Sequence, residues 1–82
     1  MSQYEIRNAK DEVICNCENK FDILRISRDI RTWGIDMSTI KVIKVTKSTE
    51  EFICTLDIVA KSPEKVSIKQ WRRLCIKTHG EQ

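Results

Sequence analysis

Glycine, proline and aromatic residues are all scarce in this chain, and each shortage closes off a class of function. Its 82 residues include two glycines, one proline, two tryptophans, one tyrosine and two phenylalanines. The glycines stand alone at positions 34 and 80, so there is no glycine-rich loop to wrap backbone amides around a phosphate. The single proline, at position 63, excludes a proline-rich linker or ligand segment. No apolar run approaches the ~18–20 residues that cross a bilayer as a helix. Residues 1–8 carry neither the basic start nor the apolar middle of an export signal. The expectation is a cytoplasmic chain with reduced thiols and no membrane insertion. A large excess of one charge is missing as well. Fifteen Lys and Arg face twelve Asp and Glu, a net +3, which permits an anionic partner without requiring one.

What is present is apolar patterning, at 40% of residues. That is too much for a disordered segment and enough for one small core, so residues 1–82 are expected to form a single domain. Residues 40–46 and 52–60 are two β-prone runs joined by a polar stretch, the pattern of a hairpin. In the second run Phe52, Cys54, Leu56 and Ile58 alternate with Ile53, Thr55, Asp57 and Val59, placing four apolar side chains on one face. Tyr4 and Ile6, followed by Val13, Cys15 and Cys17, mark a shorter hairpin over residues 4–7 and 12–17.

Asn19 is placed to cap a helix over residues 20–33, with Asp22 in the capping-box position. Ile23, Ile26, Ile30 and Trp33 recur there at three- and four-residue steps, widened by Phe21 and Leu24. Gly34 is positioned to end that helix in a left-handed conformation. The last helix has two candidate starts: Pro63 behind Ser62, and Ile68 behind a capping box of Ser67 and Gln70. Either start buries Ile68, Trp71, Leu74 and Cys75, and Gly80 closes the helix. The expected architecture is α+β in ββαββα order, a mainly antiparallel sheet with two amphipathic helices on one face. Residues 12–17 and 51–56 share Glu, Ile and Cys in register, which suggests a duplicated strand-strand-helix unit.

Two classes of partner follow from the residues. The sheet phase opposite the helices carries Ile43, Val45, Ile53 and Val59, more apolar surface than two helices cover. The other helix, a chain terminus, a second copy in a homodimer or another protein must cover the rest. Trp71 and Arg72 join those four as expected protein-interface residues, since Trp and Arg are enriched at hot spots. The alternative partner is nucleic acid, met by Arg25, Arg28 and Arg31 on the first helix and by Lys69, Arg72 and Arg73 on the last. Asp22, Asp29 and Glu64 interrupt that basic pattern, and a solvated helix face is its plainest explanation.

Catalytic and metal chemistry find less support. Cys15, Cys17, Cys54, Cys75 and His79 suffice in number for a tetrahedral zinc site, but no Cys-x-x-Cys knuckle is present. Cys15 and Cys17 sit in a strand pattern, and Cys54 and Cys75 fall on faces expected to be buried, where cysteine serves as a small apolar residue. Cys75 and His79 stand one helical turn apart with no third group to orient them, so no catalytic residue and no cofactor is assigned.

The opening Met1-Ser-Gln-Tyr-Glu-Ile-Arg7, the Lys/Ile/Glu-rich vocabulary and the compact length resemble the small early-type accessory proteins of T-even bacteriophages. Within that group the chain is similar in size and character to the RIII type of lysis-inhibition protein. The resemblance implies a phage-encoded, antiholin-type regulator acting in the host cytoplasm on the cytoplasmic part of the phage holin. It carries over no individual residue. The functional expectation is a small non-enzymatic protein-binding regulator, with a nucleic-acid-binding accessory protein as the alternative.

Overall fold

A computed structural model describes residues 3–80. Its elements are β1 (Gln3–Arg7), β2 (Val13–Cys17), α1 (Lys20–Arg31), a 3-10 turn (Met37–Thr39), β3 (Lys41–Val45), β4 (Glu50–Thr55), α2 (Leu56–Lys61) and α3 (Ile68–His79). The strands form one antiparallel sheet in the order β2-β1-β3-β4. The fold is α+β, as the patterning predicts. Tyr4, Ile6, Cys15, Cys17, Val42 and Cys54 line the sheet face that packs on the helices, which contribute Ile23, Leu24, Ile30, Leu56, Ile58, Val59, Trp71 and Cys75.

The two hairpins are built alike. In the first, Ile6 pairs with Cys15 and Arg7 with Val13, leaving Ile14 as the extra residue of a β-bulge. In the second, Val42 pairs with Cys54 and Ile43 with Phe52, leaving Ile53 extra in the same place. The correspondence continues two residues further along: Tyr4 meets Cys17, and Leu56 donates its amide to the Ile40 carbonyl at 2.8 Å. The shared Glu, Ile and Cys therefore occupy equivalent sites around equivalent bulges. At the sheet centre Ile6 lies opposite Val42 on antiparallel strands, so an approximate two-fold axis through that pair relates the two hairpins.

The second bulge overturns the simple alternation expected for residues 52–60. A bulge sets two residues against one, so Phe52 turns to the outer face while Ile53 and Cys54 are both buried. The strand then stops at Thr55, and Leu56 opens α2 instead of continuing it. Leu56, Ile58 and Val59 are buried along that short helix, a spacing that suits a helix as well as a strand. Packing against α1 and α3 overrides the β-preference of Ile58 and Val59. Asp57 sits in the first turn, where the helix dipole favours a carboxylate.

α1 begins as expected, with the Asn19 side chain accepting from the Asp22 amide at 3.0 Å. Asp22 reaches back to the Glu18 amide at 3.1 Å. The helix ends two residues early, at Arg31. The Thr32 hydroxyl and amide both bond the Asp29 carbonyl, and Gly34 takes the left-handed turn at φ 72°. Trp33 is thereby carried past the apolar stripe it was expected to end. α3 starts at Ile68, its capping box complete in both directions between Ser67 and Gln70. Trp71 and Cys75 are buried, but Leu74 lies on the flank and is 38% exposed. The face of α3 that meets β4 and α2 is narrower than its apolar pattern.

The outer sheet face is organised by Arg7. Its guanidinium meets Glu50 Oε2 at 2.8 Å, Glu5 Oε1 at 2.5 Å and Asp11 Oδ1 at 3.4 Å, and it is 8% exposed. Lys41 reaches the same Asp11 oxygen at 3.3 Å. Asp11, at φ 67°, is the left-handed residue of the tight turn that brings this carboxylate inward.

Candidate functional site

The six expected interface residues do not assemble into one surface. Ile53, Val59 and Trp71 are core residues, placed there by the bulge, by α2 and by the packing of α3. Ile43 stays on the outer face, opposite Glu5, and is already buried. Val45 is half-buried, and Arg72 is exposed but ion-paired with Glu51. Phe52 and Val13, equivalent positions of the two hairpins, are the outer-face apolar residues left most open to solvent. The surplus apolar area expected of this face is thus smaller than its alternation implies.

The larger exposed apolar feature lies beside the first hairpin. Trp33 is 56% exposed and Ile35 is exposed too. Together with Ile14 and Ile40 they line a wide-mouthed groove of about 420 Å³ between the β1–β2 turn and the segment after α1. Asn8, Lys10, Glu12 and Thr39 border it. An apolar floor with a polar border is the anatomy of a hot spot. The helical periodicity of residues 23–33 hid it, because Trp33 completes the stripe. The signal that exposes it is Gly34: a left-handed terminator ends the intrahelical bonds a turn earlier.

A second cluster joins α3 to the start of α2. His79 Nε2 lies 3.0 Å from Asp57 Oδ2 and 3.3 Å from Thr55 Oγ1, and the Thr55 hydroxyl donates to Asp57 Oδ1. Cys75 Sγ is 4.0 Å from the same hydroxyl. Asp57 is a third group beside Cys75 and His79 that their spacing does not reveal, brought within reach only where β4 ends and α2 begins. It engages His79 through the nitrogen that also faces Thr55, so the arrangement clamps two helices together.

All four cysteines are free. Burial pushes the Cys17 thiol up to about 12, with the Cys15 thiol adding to it, and burial raises Cys54 as well. Thiols held protonated in this way are poor nucleophiles. Among the described residues no three His, Cys, Asp or Glu side chains are grouped to hold a metal ion.

These carboxylates make a pH prediction. Burial alone would raise Asp57, but the Thr55 hydroxyl and the His79 ring outweigh it and leave the carboxyl below its usual range. Lys41 lowers Asp11 and Arg7 lowers Glu50 in the same direction. Groups whose folded pKa is depressed stabilise fully above the unfolded range of ~3.9–4.3, and that stability is lost as pH falls through the lower folded values. The urea midpoint is therefore expected to be flat from neutral pH to about 5 and to fall below about 4. Asp57→Asn should flatten part of that fall. A midpoint that stays constant into strong acid contradicts the assignment.

The expected nucleic-acid residues are all exposed. Arg25 is ion-paired with Asp22 at 3.6 Å, Arg28 with Glu64 and Arg72 with Glu51. Arg31, Lys69 and Arg73 have no ion-pair partner among the described residues. Arg28 and Arg31 also line a cleft of about 100 Å³ between α1 and α2, where Glu64 neutralises Arg28. No helix of the described residues is long and apolar enough to cross a membrane. No protein-family model matches the chain, and no curated protein or solved structure is significantly similar to it.

Proposed function

We propose that this chain is a non-enzymatic protein-binding regulator that takes an apolar side chain of its partner into the Trp33 groove. The observation that carries this reading is a tryptophan left more than half exposed on an apolar floor, in a chain that holds only two. Exposing an indole leaves favourable burial unused, and a protein partner recovers it. The groove lies within the ~300–1,000 Å³ range of binding sites but is wide open, which suits an inserted side chain better than an enclosed metabolite. The resemblance to T-even lysis-inhibition proteins makes the cytoplasmic segment of a phage holin the first partner to test, in the host cytoplasm. A second copy of the chain is the next.

Trp33→Ala should weaken partner binding by at least about 2 kcal/mol, roughly thirtyfold, while leaving thermal stability nearly unchanged. Titration of the wild type and the variant with the holin segment, alongside analytical ultracentrifugation, reads both partners. Equal affinity of the two proteins for a bound partner sinks the groove. A monomer at every concentration removes the homodimer.

A further inference from the structure

We propose that the outer crest of α3 is a sequence-independent phosphate-binding surface for nucleic acid. Folding sorts the charge between the two layers. Residues 20–31 and 56–79, which form the helix layer, hold ten lysines and arginines against four carboxylates. The other described residues hold five against seven. The net +4 of the described residues (Glu81, outside them, brings the chain to +3) thus separates into an excess of six positive charges on one layer and a deficit of two on the other. Segregation of this kind is the electrostatic footprint of a polyanion partner.

α3 concentrates the effect, because it contains no acidic residue. Lys69, Arg73 and Lys77 recur every four residues, about 6 Å apart along the axis, on the side opposite Trp71 and Cys75. None of the three has an ion-pair partner among the described residues, and neither do Lys61 and Lys65 just before the helix. Arg72 differs, since Glu51 holds it against β4. Gln70, the amide side chain on this helix, is occupied in the capping box, so it is not available to read a base edge. What remains is a row of cations that meets phosphates without reading bases. Ile76 is the apolar residue between them, 51% exposed. Ile76 on the crest, with Leu74 partly exposed on the flank, gives a bilayer little to hold, which favours nucleic acid over an anionic membrane.

The test is fluorescence anisotropy with a labelled random-sequence duplex across a salt series, with phosphatidylserine vesicles titrated in parallel. Wild type is expected to bind with a Kd of about 10⁻⁶–10⁻⁴ M at physiological salt. Its log K should fall against log salt with a slope of about −3 or steeper, as three or more phosphate contacts require. Lys69→Gln, Arg73→Gln and Lys77→Gln combined should reduce that slope by about three. Lys10→Gln, Lys44→Gln and Lys47→Gln combined remove the same charge from the sheet side and should leave it nearly unchanged. Circular dichroism checks that both triple variants are folded. A wild-type slope shallower than about −2.5 overturns the proposal without reference to any variant. Equal losses in the two triple variants, or binding to vesicles but not to duplex, overturns it as well. Trp33→Ala should keep the full slope, so this surface and the groove stand or fall separately.

Discussion

Trp71→Ala is expected to cost about 3–5 kcal/mol of folding stability. Trp71 is fully buried and touches the one continuous core, to which both hairpins and all three helices contribute. A chain of this size has a total stability near the lower end of ~5–15 kcal/mol. The variant should therefore be largely unfolded at 37 °C and lose most of its urea midpoint by far-ultraviolet circular dichroism. Trp71→Phe keeps an aromatic ring in the site while removing the N–H. The indole N–H finds no acceptor among the described residues, so replacing it removes an unpaired buried donor. That gain offsets part of the lost volume, and Phe is expected to cost less than about half of what Ala costs. Both variants lose the N–H, so the difference between them reads ring packing alone, and equal costs for Phe and Ala would contradict the packing of this ring in the core. Lys20, whose ammonium lies 6.0 Å from the ring centroid, keeps an aromatic face in the Phe variant and none in the Ala variant.

Val59→Asp is the second large effect, and it discriminates between two local structures. On a strand running to residue 60, Val59 shares its phase with Thr55 and Asp57, and a carboxylate there is tolerated. In α2, Val59 is 1% exposed and lines the contact with α1. An aspartate would bring an unpaired charge into that contact, at a cost of about 3 kcal/mol or more. Val59→Ser should cost visibly less, because a hydroxyl can bond a carbonyl one turn back as Ser62 does to Ile58 at 2.7 Å. Chemical denaturation of both variants provides the comparison. An Asp variant within about 0.5 kcal/mol of wild type removes α2.

The basic crest was half-legible in the sequence. Lys69 and Arg73 belong to the expected set, and both remain uncompensated. Arg25, Arg28 and Arg72 have the same spacing logic but meet Asp22, Glu64 and Glu51. Two of those partners are more than twenty residues away, so no local pattern foretells the neutralisation. Trp33 and Trp71 show the same limit. Each continues an apolar helical stripe, yet a helix terminus only two residues before Trp33 sends it to solvent while Trp71 becomes the centre of the core.

Local hydrogen bonding and periodicity specified the two hairpins, the Asn19 cap, the Ser67–Gln70 box, the Gly34 exit and hence the α+β class. Those features close within a few residues, so the chain encodes them wherever it folds. The paired bulges, the turn into α2, the meeting of Asp57 with His79 and the gathering of cations on one layer emerge only when distant segments pack. The governing reason is that a short apolar run fits a strand or a helix equally well, and what it packs against chooses between them.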